Sequence, residues 1–200
     1  ESVEIFTTRI DTIFGCTYLV VAPESKIVEE LEGQIKNWGE VKKYVEGSKN
    51  KTDLQRTDLT KDLPDGKAGK TGVELKGIKA VNPFNNEEVP VWVADYVLGG
   101  YGTGTVMAVP AHDERDWDFA KKYNLPVKMV ICPNYPKPIC PVLEKAYTGE
   151  GHLVGSGEFD GLDSKTAREK MTKWLEEKKL GGRKINYKLK DWVFSRQRYW

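Results

Sequence analysis

The 200-residue sequence has two histidines and three cysteines, and neither residue type is spaced to build a site. With only His112 and His152 available, a metal ion would need ligands from distant segments, so no metal is expected. Cys16, Cys132 and Cys140 are odd in number and show no paired spacing. They read as reduced thiols in a cytosol-like compartment, not as a disulfide framework. No run approaches the roughly 18 apolar residues of a membrane helix, and no charged-then-apolar leader precedes the first apolar run. Membrane and export readings drop out, and a cytoplasmic location is expected. Charge of one sign is also missing: 31 basic residues against 30 acidic leave a net +1, which excludes a broadly basic nucleic-acid binder.

Phosphate-binding loops are absent as well. Gly69-Lys70-Thr71 ends like a Walker A loop, but the position of its first glycine is Pro64. Gly99 to Gly104 lacks a glycine of the dinucleotide fingerprint and leads into a strand where that motif would open a helix. There is no Gly-x-Ser-x-Gly elbow, and Cys16 has no histidine in its own segment.

What is present is 39% hydrophobic and 30% charged residues, the composition of a chain that closes a core. The charge is polarised. Residues 165–200 carry 12 Lys and Arg against 4 Asp and Glu, a local +8 that leaves −7 for residues 1–164. The basic stretch is either a solvated helix with a basic flank or a face for a polyanion. A chain that starts on Glu1 and runs straight into strand-like Val3 to Phe6 reads as a piece of a larger protein.

Strands are expected at 3–7, 18–22, 104–109 and 127–131, with a hairpin from 77–81 to 89–94 around Asn82 to Asn86. Helical spacing appears at 24–31 and 41–45, and residues 61–72 read as a loop. Residues 113–123 form a helix with acids in the first turn, Lys121 and Lys122 in the last, and Asn124 as a left-handed stop. A short hairpin is expected at 153–159. Asp163 or Ser164 then caps a helix that runs to about Leu180 and ends at Gly181. The mixture implies a mixed α/β fold around a closed or highly curved sheet.

Two segments hold the residues suited to chemistry. Thr7, Thr8, Arg9, Asp11 and Thr12 crowd hydroxyls and amides into one loop able to hold oxyanions or hydroxyl groups, or else simply cap a strand end. Residues 100–118 place Tyr101, Met107, Val109, His112, Asp113 and Asp116 between a Gly-rich approach and a helix start. Asp113 also suits an N-cap that accepts from the Asp116 amide, and His112 also suits a buried, hydrogen-bonded position.

Together, Thr7-Thr8-Arg9-Ile10-Asp11-Thr12 and Gly102-Thr103-Gly104-Thr105-Val106-Met107-Ala108-Val109-Pro110-Ala111-His112-Asp113-Glu114-Arg115-Asp116 resemble the editing domain, the connective-polypeptide insertion, of bacterial-type leucyl-tRNA synthetases. Ala80 to Pro83, Trp92 to Leu98 and Asp191 to Trp200 extend the resemblance. Asp11 and His112 to Asp116 favour the leucyl over the valyl or isoleucyl member. The resemblance implies the shared editing-domain fold, a mixed α/β fold with a curved or barrel-like sheet and flanking helices. It also implies one domain over 1–190 and re-entry into a class I catalytic domain over 191–200.

The activity implied is hydrolysis of the aminoacyl ester on mischarged leucine transfer RNA. Such a second site is needed because a leucine pocket rejects near-isosteric side chains by no more than roughly 10 to 200-fold. By the resemblance Thr12 excludes leucine sterically, Asp116 holds the α-ammonium, and Thr7 and Thr8 contact the scissile region and the terminal ribose. Met107 and Val109 line the adenosine site, Tyr101, His112 and Asp113 neighbour the pocket, and Arg9 helps position the acceptor end. Water is the nucleophile, assisted by the substrate's ribose hydroxyl. No cofactor is implied for the domain itself, since ATP and magnesium would belong to the catalytic domain. The implied partners are the transfer RNA acceptor end and that catalytic domain, with the protein a monomer. Ile10 departs from the family's proline and Thr105 from its small apolar residue. The rival readings are an acceptor-end binding module without hydrolysis and an editing domain of valyl or isoleucyl type.

Overall fold

The computed structural model describes residues 2–49, 71–100, 102–135 and 144–184. The re-entry segment at 191–200, Tyr101, Cys140 and most of the loop at 61–72 lie outside the described residues.

The central sheet has four strands in the order β2-β3-β1-β4. Strand β1 (Tyr18–Val21) runs parallel to β3 (Glu88–Ala94) and antiparallel to β4 (Thr105–Ala108), while β2 (Gly72–Val81) pairs antiparallel with β3 as the expected hairpin. The class is the mixed α/β expected, but the sheet is open, with β2 and β4 as its edges. A register shift interrupts β2 between Glu74 and Lys79, and Gly77 supplies the positive φ of 97° found within it. A second, two-stranded sheet pairs β5 (Ile131–Cys132) with β6 (His152–Leu153).

Every residue of β1 is buried because both faces of the sheet are covered, which explains an apolar run without alternation. Tyr18, Val20, Trp92, Tyr96 and Ala108 pack with Phe119 and Ala120 of α3 (Glu114–Tyr123). Leu19, Val21, Val91 and Val93 pack with Val28 of α1 (Lys26–Glu30) and Val41 of α2 (Trp38–Lys49). A third cluster joins Ile13, Phe14, Met107, Val109, Ile131 and Leu153 to Ala167 and Met171 of α4 (Ser164–Glu177). Among the described residues no helix is long and apolar enough to cross a membrane.

Four local expectations are corrected. Residues 3–7 form no strand: Ile5 plugs the space between two clusters while Val3 is exposed, so the apolar residues act singly and not as a strand face. Residues 127–131 are strand only from Ile131, and at its start the amides of Val130 and Ile131 are turned to the His112 ring. Residues 153–159 are not a hairpin. Strand β6 pairs with β5, and a 3₁₀ turn follows at Gly157–Phe159. Helix α4 begins on the Asp163 cap, as expected, but ends at Glu177. Lys179 takes the left-handed position (φ 58°) assigned to Gly181.

Candidate functional site

Strand pairing brings the two motif segments together. A 3₁₀ turn at Ile10–Gly15 leads into β1, where the Thr17 amide donates to the Ala108 carbonyl (3.1 Å) and Tyr18 sits opposite Ala108. The end of the threonine-rich loop is thus zipped to the strand that delivers Val109 to Asp116. Gly15 is needed at the join, since a Cβ there would stand 2.9 Å from the Lys128 carbonyl. From the hairpin turn, Asn82 Nδ2 donates to the Ile13 carbonyl (2.9 Å) and fixes the other side.

Within the threonine-rich loop the polar groups mostly hold one another. Thr7 Oγ1 accepts from the Arg9 amide (3.0 Å), while Thr8 is exposed. The amide and hydroxyl of Thr12, a residue 1% exposed, both donate to the Arg9 carbonyl, at 3.0 and 2.8 Å. Capping of the backbone, the plainer of the two readings of these residues, is what Thr7 and Thr12 do in the free chain. Arg9 forks onto Asp11 (Nη2 to Oδ2, 3.0 Å) and donates to the carbonyls of Thr148 (3.2 Å) and Gly149 (3.3 Å).

Asp11 itself is fully buried, and a second guanidinium reaches it, that of Arg168 on α4 (3.4 Å). Arg168 in turn pairs with Glu150 at 2.7 Å. Sequence reading picks out Asp11 as one of the polar residues of the loop and as a family marker, and misses Arg168 and Glu150. Their partners lie far off in the chain, and no local spacing signals the contact.

The second segment is organised by three side chains. Asp113 caps α3, accepting from the amides of Arg115 (2.8 Å) and Asp116 (3.3 Å). Burial works against its charge, but the Arg115 guanidinium and the two amides outweigh it and hold the carboxyl below its ordinary value. His112 sets its Nδ1 3.0 Å from the Tyr147 carbonyl, while Nε2 accepts from the amides of Val130 (3.1 Å) and Ile131 (3.2 Å). Those partners assign the proton to Nδ1 in a neutral ring, and burial lowers its pKa in agreement. His112 is therefore a staple joining three segments.

Asp116, 4% exposed, is the exceptional residue. Its Oδ1 accepts from Tyr96 Oη (3.0 Å) and its Oδ2 from the Val109 amide (2.9 Å), while Tyr18 Oη donates to its backbone carbonyl (3.1 Å). Among the described residues no Lys or Arg forms an ion pair with it, and burial together with the nearby Asp113 charge pushes its carboxyl up to about 7. Tyr96 is a further residue that sequence reading misses. Met107 and Val109 are packed in the third cluster beside Ile13 and Phe14. Cys16 is buried, and desolvation pushes its thiol up to about 12, which leaves no thiolate to act as a nucleophile. Among the described residues no three His, Cys, Asp or Glu side chains gather to hold a metal ion.

A family model for the leucyl-tRNA synthetase editing domain matches residues 1–176. The chain is 48% identical over its whole length to a leucine–tRNA ligase of Alkaliphilus oremlandii and 50% identical over 99% of its length to one of Rubrobacter xylanophilus. It spans about a quarter of the length of these relatives, 24% and 23% respectively. Among solved structures, it is similar to the synthetase in a ternary complex of Agrobacterium radiobacter K84 agnB2 LeuRS with tRNA and LeuAMS. The TM-score is 0.68 at 33% identity, covering 94% of this chain and 18% of that one.

Proposed function

The chain belongs to the leucyl-tRNA synthetase editing-domain family, and from that premise we propose that it hydrolyses the aminoacyl ester of mischarged leucine transfer RNA while sparing leucyl ester. The observation that carries this reading is Asp116. A buried carboxyl without a cationic partner is costly to keep ionised, and an α-ammonium supplies the charge it lacks. Each carboxylate oxygen already accepts one bond and retains a second lone pair, so the ammonium adds to the Tyr96 and Val109 contacts without displacing them. Selection for the ammonium separates aminoacyl esters from esters without an amine.

Thr12 sits on the other segment, its χ1 restricted by β-branching and its hydroxyl tied to the Arg9 carbonyl. A side chain so held does not yield to a γ-branched substrate, and that stiffness lets it act as the obstruction to leucine. Thr8, exposed at the mouth of the turn, and Thr7 offer hydroxyls to the reacting carbonyl and the terminal ribose. Water is the nucleophile: it adds to the ester carbonyl, the tetrahedral oxyanion collapses, and the ribose oxygen leaves with a proton. Orientation and polar stabilisation supply the acceleration. The partners are the acceptor end of the transfer RNA and the catalytic domain of the same polypeptide.

The test is deacylation of norvalyl, isoleucyl, methionyl and leucyl esters of leucine transfer RNA by the full-length polypeptide. The first three are expected to be cleaved and the last spared. If all four persist while the acceptor end still binds, the domain is a binding module and the reading fails.

A further inference from the structure

The threonine-rich loop that leads into the 3₁₀ turn at Ile10–Gly15 has little backbone structure of its own. Residues 2–9 join no sheet, Arg9 has an irregular conformation (φ −125°, ψ 58°), and Ile10 lacks the ring with which the family's proline restricts φ. Beyond the backbone bond of its own amide to the Arg9 carbonyl, Thr12 is tied in place by a chain of side-chain contacts. Its hydroxyl is bonded to the Arg9 carbonyl, the Arg9 guanidinium is clamped on Asp11, and Arg168 reaches the same Asp11 Oδ2 from α4. Arg168 stands on a rigid post. Its neighbours Ala167 and Met171 are fully buried in the cluster that holds Ile13 and Phe14, and its outer nitrogen is pinned to Glu150.

We infer that Arg168 is a positioning residue for the editing site, holding the Thr12 obstruction in register through Asp11 and supplying the constraint that Ile10 does not. This rests on the function proposed above. Arg9 alone can neutralise Asp11, so loss of Arg168 does not leave a bare buried charge; it removes the polar link between Asp11 and α4 and leaves only the apolar packing of Ile13 and Phe14 on that helix. The turn then gains freedom, and the discrimination that depends on the position of one methyl and one hydroxyl suffers before the fold does.

The experiment compares Arg168→Ala, Arg168→Lys and Glu150→Gln with the unmodified full-length polypeptide. Cleavage of leucyl and isoleucyl esters is measured in each, alongside thermal unfolding. Arg168→Ala is expected to raise the ratio of leucyl to isoleucyl cleavage by about tenfold, the scale of a sub-ångström loss of register. Arg168→Lys should restore most of the discrimination, and Glu150→Gln should shift the ratio the same way by less. An unchanged ratio in Arg168→Ala, or an equal fall in both rates, overturns the inference. If that variant does not fold, the exposed Glu150→Gln decides it by the same criterion. Should the unmodified polypeptide cleave neither ester, the proposed function fails instead, and the two failures are distinguishable.

Discussion

Asp11 and Asp116 are both buried carboxylates, one in each of the two motif segments, and they differ in what neutralises them. Asp11 is held by two guanidiniums at 3.0 and 3.4 Å, so the protein meets its charge from within. Among the described residues, the Asp116 carboxylate is met by the Tyr96 hydroxyl and the Val109 amide and by no ion pair. Hydrogen bonds without a counter-charge leave a buried carboxylate partly uncompensated, which is why its carboxyl is raised to about 7. Under the function proposed above, the difference separates a structural charge from one left for a ligand, two roles that burial alone does not distinguish.

The largest effect that breaks this comparison is Asp116→Asn. The amide can accept from Val109 through its oxygen and donate to Tyr96 Oη, so the local geometry survives while the charge is lost. Ester cleavage should fall by about 100 to 1,000-fold, as for truncation of one partner of a buried charge pair. Unfolding above pH 7 should show equal or greater stability, because an ionised buried group has been removed. Retained cleavage would return Asp116 to the same class as Asp11.

Two smaller losses test the other side, the groups satisfied by the protein itself. His112→Phe leaves the amides of Val130 and Ile131 and the Tyr147 carbonyl without their ring partner, an expected cost of about 3 kcal/mol in denaturant unfolding. The lowered folded-state pKa of His112 means that the unfolded chain binds its proton more readily. Its contribution is therefore present above the ordinary value of 6.5 and is lost as pH falls below it. The Phe variant should lack this acid-side loss. Asp11→Asn leaves Arg9 and Arg168 without their shared anion, but both are partly solvated, so about 2 kcal/mol is expected, below the usual loss for a broken buried pair.

The same contrast explains what could be read from the sequence. Helix α3 was legible because its signals are local: the Asp113 cap lies three residues from the amide it binds, and Asn124 takes the left-handed stop (φ 52°). Strand β1 announces itself by an unbroken apolar run, and both candidate segments stood out by their concentration of polar groups. The parts that were hidden depend on distant partners. Nothing near His112 indicates that its ring accepts from the amides of Val130 and Ile131, and nothing near Asp11 points to Arg168. Residues 3–7 misled because their apolar residues are used singly, Ile5 packed against two clusters and Val3 exposed, which composition does not record.

The finest distinction lies in the hydroxyl of Tyr96, one of the two donors to the Asp116 carboxyl among the described residues. The Asp116 carboxyl has a pKa of about 7 in the folded chain against an ordinary 3.8, so the folded state binds the extra proton between those values. The stability it brings is complete below 3.8 and is lost as pH rises through about 7, while the carboxylate that an ammonium needs is gained over the upper part of that range. Ester cleavage by the unmodified protein should therefore climb with pH to a plateau at about 7, below the range of roughly 7.7–8.0 in which an α-ammonium gives up its own proton. Tyr96→Phe removes a donor that favours the ionised form, so the midpoint of that climb should move to higher pH while the plateau rate changes little. A plateau that drops with an unmoved midpoint would make Tyr96 a packing residue, and Asp116 would then owe its poise to burial alone.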